Sequence, residues 1–206
     1  MIPYASRTGT RSTLAALRAA DWRLLVSAAG ELRTEGFRYA LDNGAWSAYQ
    51  RGADFDEDTF KRALDALGAG ADWVVCPDIV CGGEASLELS WRWLSRVLEV
   101  APVALFAVQD GHEPWQLDEV LGARVGIFIG GSTEWKLATM RTWSAAAANR
   151  GAWCHVGRVN TARRVALCAS AGVTSFDGSS VTRFPKTLPL LQRAVQRGRN
   201  QMRFAC

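Results

Sequence analysis

Short apolar segments alternate with longer amphipathic segments along almost the whole chain. Eight of the apolar segments are near-continuously hydrophobic, which is typical of strands with both faces covered. Strands that alternate with helices favour parallel pairing, and eight such units predict a closed (β/α)8 barrel, the TIM-barrel type of α/β fold. Such barrels begin at about 200 residues, so a chain of 206 residues would form a compact, near-minimal one.

The eight predicted strands lie within MIPYAS, WRLLVSAAG, FRYALDNGAW, DWVVCPDIV, PVALFAVQDG, RVGIFIGG, AWCHVGRV and GVTSFDGSS. A helical pattern follows most of them, including EPWQLDEVLGA after the fifth strand, whereas a loop joins the second and third strands. An open doubly wound sheet is the alternative, but no Gly-x-Gly-x-x-Gly sequence follows the first strand. Because no linker or repeat divides the chain, residues 1–206 are predicted to form one domain with a basic tail from about residue 197.

Composition narrows the class of protein. The net charge of +4 is a weak indication of a polyanionic partner. The five cysteines are odd in number and show neither a C-x-x-C pair nor zinc-finger spacing, so we expect reduced thiols and no metal. No apolar run is long enough to cross a bilayer, and the N-terminus has no signal pattern. We therefore expect a cytoplasmic protein with no membrane contact and no cofactor.

Polar and glycine residues follow several of the predicted strands, at the ends that form the active-site rim of a (β/α)8 barrel. An aspartate after a strand often only caps the next helix, and a Gly-Gly pair can be only a tight turn. Their joint occurrence on one rim favours a functional site. The residues concerned are Asp42, Asp78, Gln109, Gly130, Gly131 and Asp177.

A guanine ring matches the chemistry of this set. Its adjacent N1–H and amine donors suit one carboxylate, and its O6 suits an amide or a glycine N–H. An aromatic side chain such as Trp46 can stack on the ring. Two carboxylates then remain, and a pair at a glycosidic carbon is the retaining arrangement of one nucleophile and one acid/base.

The same segments resemble the motifs of the tRNA-guanine transglycosylase superfamily, especially its short phage-borne DNA-guanine transglycosylases, which insert 7-deazaguanine bases into DNA. DNGAW is similar to the family's Asp-Ser-Gly-Gly-aromatic motif, Asp78 to its base-reading aspartate, and VQDG to Val-Gln-Gly. IGG, HVGRV and SFDGSSVTR are similar to its Gly-Gly turn, its Gly-Val-Gly strand and its Phe-Asp followed by Pro-Thr-Arg. Each motif alone is common, but six in the family's order across nearly the whole barrel are specific.

The resemblance implies roles for the matching residues. Asp177 would be the nucleophile that attacks C1′ and holds a covalent glycosyl intermediate. Asp42 would be the general acid/base that takes the proton from the incoming base. The implied base-binding residues are Asp78, Gln109, Gly130, Gly131, Trp46 and Asn43.

The chain differs from the larger tRNA enzymes in three respects. It has no Cys/Cys/Cys/His cluster for their zinc-binding subdomain, Asn43 stands in place of the serine after the catalytic aspartate, and Val80 replaces a cysteine. The resemblance therefore implies exchange of guanine in DNA for a free 7-deazaguanine, such as the 7-cyano form. A phage-encoded enzyme of this kind would work in the host cytoplasm.

Basic residues recur in or after the predicted strand-to-helix loops, where a nucleic-acid backbone would lie. A barrel pocket reaches only an extruded base, so a flipped-out or single-stranded guanine is expected. The mechanism needs neither histidine, and His155 is predicted to be a hydrogen-bonded core residue or a phosphate contact. Arg183 is predicted to support Asp177 or to bind phosphate. The predicted contacts to the nucleic-acid backbone are Arg7, Arg158, Arg163, Arg183 and Lys186.

Other functions stay open at this point. A tRNA-guanine exchanger or a base-releasing N-glycosidase would use the same carboxylates. A non-catalytic nucleic-acid or base-binding barrel is a different class, although a mere binder needs neither Asp42 nor Asp177. The sequence does not indicate the oligomeric state.

Overall fold

Eight parallel strands form a closed barrel in chain order, with β8 paired to β1, in the computed structural model of the protein. The structure describes the backbone of residues 1–204 and the side chains of residues 1–200. The barrel predicted from the alternating pattern is confirmed, and the open sheet is excluded. The strands are β1 (Ile2–Ser6), β2 (Arg23–Ser27), β3 (Tyr39–Asp42), β4 (Val74–Val75), β5 (Ala104–Val108), β6 (Val125–Ile129), β7 (Cys154–Val156) and β8 (Ser175–Gly178).

Eight α-helices accompany the strands within residues 1–204, and the loop predicted between β2 and β3 is present. Side-chain oxygens cap three of the helices: Asp56 accepts a hydrogen bond from Thr59, Ser132 from Trp135 and Thr161 from Arg164. The helices are α1 (Arg11–Ala19), α2 (Ala45–Gln50), α3 (Glu57–Leu67), α4 (Glu84–Val100), α5 (Thr133–Asn149), α6 (Ala162–Ser170), α7 (Ser180–Arg183) and α8 (Leu188–Phe204).

The prediction of a helix in the segment EPWQLDEVLGA after β5 is wrong. Only a 3-10 turn, Pro114–Leu117, forms there. Gly122 and Val125 then exchange two backbone hydrogen bonds of 3.0 and 3.2 Å, which turn the chain directly into β6.

The C-terminal part of the described chain is helical. Helix α8 continues to Phe204 and so includes most of the segment predicted as a basic tail from about residue 197. Cys206 lies outside the described residues. None of the helices in residues 1–204 combines the length and the apolar character that crossing a membrane requires.

Alternation along the strands decides which side chains point into the barrel. In β3 and β8, Leu41 and Phe176 pack in the hydrophobic clusters towards the helices, whereas Ala40 belongs to a separate cluster inside the barrel. The residue that follows each outward side chain, Asp42 or Asp177, therefore faces the interior at the carboxyl end of its strand. Strand geometry alone brings both carboxylates to one mouth.

An aromatic layer fills the barrel below this mouth. The ring of His155 lies 4.5 Å from that of Trp73, 4.9 Å from that of Phe128 and 5.8 Å from that of Tyr4 between centroids. Below it, the Tyr4 hydroxyl donates to Asp72 at 2.9 Å, and Arg23 pairs with the same carboxylate at 2.9 Å. These side chains fill the interior of the barrel on the side of the aspartates away from the strand ends.

Candidate active site

Three aspartates predicted to form the site lie at the mouth of the barrel. Asp42 ends β3, Asp177 lies near the end of β8, and Asp78 follows β4 by three residues. Burial is the main cause that raises the pKa of Asp42 and of Asp78. The charge of Asp177 adds to the rise at Asp42, and the charge of Asp42 adds to the rise at Asp78, so the three carboxyl groups interact electrostatically. The fold brings the three residues together, as the sequence predicts.

Asp42 is held by the turn that follows it. Its Oδ2 accepts a hydrogen bond of 3.1 Å from the backbone N–H of Gly44. Gly44 has a φ of +87°, and a Cβ there would lie 3.0 Å from Ala29, so this turn requires glycine. Burial raises the pKa of Asp42 to about 6, and the negative charge of Asp177 adds to the rise. Asp42 can therefore both hold and release a proton near neutral pH.

Asn43 orients Asp78. The Asn43 amide donates to Asp78 Oδ1 at 2.7 Å and to the Cys76 carbonyl at 2.7 Å, while its oxygen accepts from Ala45 at 2.9 Å. Both ends of the amide are thus occupied within the protein. Asn43 was predicted to bind the base, but the structure shows its amide bonded within the protein, where it holds Asp78.

Asp78 has an unusually high pKa. Burial raises the pKa of Asp78 to about 7, and the charge of Asp42 contributes, against the opposing hydrogen bond from Asn43. A carboxyl group with this pKa changes its charge in the physiological range. Its ionised form accepts two adjacent N–H donors, and its neutral form does not.

Asp177 is only 7% exposed, and its contacts come from β7 and the loop after it. Its Oδ1 accepts a hydrogen bond from the backbone N–H of Arg158 at 3.3 Å and lies 3.1 Å from His155 Nε2. Arg158 has a φ of +60°, the left-handed conformation that side chains other than glycine rarely adopt. Arg183 is exposed on α7 and has no bond to Asp177 in residues 1–200, so His155 and Arg158 provide the support predicted from Arg183.

Gln109 spans the gap to the loop that follows β4. Its amide nitrogen donates to the Ile79 carbonyl at 2.8 Å, and its amide oxygen accepts from the Cys81 N–H at 2.7 Å. Both functional groups are used, so Gln109 fixes the loop that carries Asp78. A direct role in reading a base would require Gln109 to give up one of these bonds.

The Gly130-Gly131 turn is tightly constrained. Gly131 has a φ of +63°, and a Cβ there would lie 2.5 Å from the Asp110 carboxylate and 2.8 Å from the Trp135 ring. Asp110 accepts two hydrogen bonds of 2.6 Å from Ser132, which ties the turn to the start of α5. The N–H of Gly130 pairs with the Val108 carbonyl, so it belongs to the sheet.

Trp46 stands at the rim and is 40% exposed. The Arg158 guanidinium lies 4.4 Å from the centroid of the Trp46 ring, and Tyr49 stacks on Trp46 at 5.6 Å. The same guanidinium donates to the Gly131 carbonyl. A planar cation thus already lies against the ring predicted to stack on a base, and it links the ends of β3, β6 and β7.

The predicted nucleic-acid contacts fall into two groups. Arg7 is paired with Glu31 and Glu35 at 2.7 Å each, so its charge is largely neutralised within the protein. The Arg158 guanidinium lies against the Trp46 ring and donates to the Gly131 carbonyl. The side chains that remain exposed are Arg163, Arg183 and Lys186.

Lys136 is a residue that sequence reasoning missed. It lies in α5 and is only 5% exposed, and its ammonium group donates to the Gly157 carbonyl at 2.7 Å. Burial lowers the pKa of Lys136 to about 8, while the charge of Asp177 opposes that shift. The sequence signal is weak, because a lysine in an amphipathic helix is normally exposed.

The described residues contain no group of three or more His, Cys, Asp or Glu side chains that could hold a metal ion. Cys76, Cys154 and Cys168 are buried and Cys81 is exposed, and all four are free thiols.

No protein-family model matches the chain, and no curated protein matches it either. The transglycosylase resemblance therefore stays a prediction from the six sequence motifs. The geometry of the mouth is an independent basis for a functional proposal.

Proposed function

We propose that the protein is a base-exchange glycosyltransferase that replaces guanine in DNA with a 7-deazaguanine through a covalent glycosyl-aspartate intermediate. The observation that carries the proposal is the placement of Asp42 and Asp177 at the carboxyl ends of β3 and β8 in a closed barrel, with Asp78 just after β4. A retaining displacement at a sugar carbon needs one carboxylate as nucleophile and one as acid/base. Burial raises the pKa of Asp42 to about 6, which suits it to hold and release the proton.

In the first half of the proposed reaction, a carboxylate oxygen of Asp177 forms a bond to C1′ as the bond from C1′ to N9 of guanine breaks. The electron pair of the broken bond leaves with N9, and protonated Asp42 donates its proton there. In the second half, N9 of the incoming base attacks C1′, its proton passes to Asp42, and Asp177 leaves as a carboxylate. No proton is gained or lost over the whole cycle.

Recognition of the base is assigned to Asp78. Its ionised carboxylate would accept from N1–H and the exocyclic amine of guanine, and a 7-deazaguanine keeps both donors. Asn43 would hold Asp78 in place, and Gln109 would hold its loop. Adenine lacks this pair of adjacent donors and would leave the buried carboxylate unsatisfied, so the site is expected to reject it.

The exposed cations would hold the nucleic-acid backbone. Arg183 and Lys186 lie just after β8, and Arg163 lies at the start of α6 after β7. All three therefore lie beyond the strands nearest Asp177, where the phosphates flanking a flipped nucleotide would pass.

The test is incorporation of a labelled 7-deazaguanine into DNA. The protein is incubated with single-stranded or duplex DNA containing guanine, and an adduct between protein and DNA is sought on denaturing gels. We expect incorporation by the wild-type protein and none by Asp177→Ala. Asp110→Asn is the matched control, because Asp110 is also a rim carboxylate but bonds to Ser132.

The outcomes separate the alternatives. Incorporation into tRNA but not into DNA would assign the tRNA reaction, and release of guanine without an acceptor base would assign a hydrolase. No incorporation on any substrate, with Asp177→Ala binding DNA as well as the wild-type protein does, would refute the proposal in favour of a non-catalytic binder.

A further inference from the structure

A chain of buried polar groups lies behind Asp177. Trp153 Nε1 donates to Ser175 Oγ at 2.7 Å, and Ser175 Oγ lies 2.7 Å from His155 Nδ1. His155 Nε2 lies 3.1 Å from Asp177 Oδ1. His155 and Ser175 are fully buried and directly opposite each other in the pairing of β7 with β8. The register of β7 and β8 therefore brings these polar groups within hydrogen-bonding distance.

The hydrogen positions in this chain follow from its two ends. The Trp153 indole can only donate, and Asp177 Oδ1 is an acceptor, since the Arg158 N–H also donates to it. His155 Nε2 must therefore carry a hydrogen. Burial lowers the pKa of His155, so the ring is neutral and its Nδ1 is an acceptor. The Ser175 hydroxyl accepts from Trp153 and gives its own hydrogen to Nδ1, so every group in the chain is satisfied.

The surroundings of His155 hold this arrangement in place. Phe128 stacks on the imidazole, and the rings of Trp73 and Tyr4 pack against it. The charged groups that act on His155 are Asp177 and Lys136. These three rings enclose the fully buried imidazole and hold its orientation.

The hydrogen bonds to Asp177 are unequal between its two oxygens. Oδ1 receives both His155 Nε2–H and the Arg158 N–H. Oδ2 has no hydrogen-bond partner among residues 1–200. A carboxylate oxygen without donors keeps its lone pairs available, which makes Oδ2 the better nucleophile.

We propose that His155 is a positioning residue that, as the Nε2–H tautomer supported by Ser175 and Trp153, holds Asp177 by Oδ1 and leaves Oδ2 as the oxygen that attacks the sugar carbon. This inference rests on the proposed glycosyl transfer for its kinetic consequence. The hydrogen-bond chain itself does not depend on the reaction.

The first test needs no substrate. Nitrogen-15 NMR of the histidine side chains distinguishes a protonated ring nitrogen from an unprotonated one. We expect His155 to show a protonated Nε2 and an unprotonated Nδ1 at neutral pH, and Ser175→Ala to weaken this preference because Nδ1 loses its donor. A protonated Nδ1 in the wild-type protein would overturn the assignment.

The second test separates positioning from packing. His155→Gln keeps an N–H donor for Asp177, whereas His155→Phe keeps the ring volume and removes the donor. At saturating DNA we expect His155→Phe to form the adduct about 10- to 100-fold more slowly than the wild-type protein, with KM unchanged, because a misplaced nucleophile costs that order of rate. His155→Gln should recover most of the rate. Equal losses in both variants, or no loss in His155→Phe, would overturn the proposal.

The two proposals fail separately. If the wild-type protein forms no adduct with any nucleic acid, the glycosyl-transfer function fails, and the NMR result still decides the hydrogen-bond chain. If His155→Phe does not fold, Ser175→Ala provides the kinetic test. The expected loss of rate is smaller, because His155 remains and only the preference for its Nε2–H tautomer is weakened.

Discussion

Asp42 should destabilise the folded protein at neutral pH, and Asp42→Asn should remove that penalty. Burial raises the pKa of Asp42 from 3.8 to about 6. A raised carboxyl pKa means that folding disfavours the charged form, so the penalty is absent at low pH. It grows as the pH rises above the unfolded value of 3.8 and is complete above about 6.

The size of the effect follows from the pKa shift. Each pKa unit corresponds to about 1.4 kcal/mol, so a rise from 3.8 to about 6 corresponds to about 3 kcal/mol. The asparagine keeps an oxygen that accepts from Gly44, so the turn is preserved. In a chain of this length about 3 kcal/mol would raise the melting temperature by roughly 6–12 °C.

The assay is urea unfolding of the wild-type protein and Asp42→Asn at pH 8 and at pH 4.5. We expect a gain in the free energy of unfolding for the variant at pH 8, and a much smaller gain at pH 4.5. Asp56→Asn is the control, because the hydrogen bonds with Thr59 lower the pKa of Asp56. Replacing Asp56 should therefore reduce the free energy of unfolding at pH 8, whereas replacing Asp42 should increase it. No gain for Asp42→Asn at pH 8, or an equal gain at both pH values, would refute the reasoning.

Three further predictions concern the rest of the site. Because burial raises the pKa of Asp78 to about 7, binding of 9-methylguanine should strengthen as the pH rises through 7, and calorimetry should find this dependence lost in Asp78→Asn. Gly131→Ala should lower the free energy of unfolding in urea by about 1–3 kcal/mol, since its φ of +63° is strained for alanine and its Cβ would meet Asp110; an unchanged value would contradict the contact. Gln109→Leu should speed hydrogen exchange at the Cys81 amide, which loses its acceptor, while the amides of α5 serve as an unaffected control.

The barrel could be predicted because its pattern is local. Each apolar segment is near-continuous, each helix has its own periodicity, and a closed parallel barrel is the simplest way to bury eight such strands. The exception, the 3-10 turn of Pro114–Leu117, arises where the chain turns back at Gly122, and such turns compete closely with short helices.

The candidate site was only partly predictable. The positions of Asp42, Asp78 and Asp177 follow from where their strands end, since parallel strands of a barrel end at one rim. The roles of Asn43 and Gln109 do not follow, because an amide can bind a ligand or bridge two loops with the same atoms. Both amides are engaged within the protein.

The sequence by itself determined the fold and the rim on which the carboxylates lie, because periodicity and strand ends are properties of local segments. Only the tertiary structure decided which polar groups are free and which are already bonded. The hydrogen bonds of Trp153 with Ser175 and of His155 with Asp177 each join residues that are 22 apart in the chain. Both bonds depend on the register between β7 and β8. Register depends on which faces of the neighbouring strands are buried together, so the pattern of one strand does not specify it.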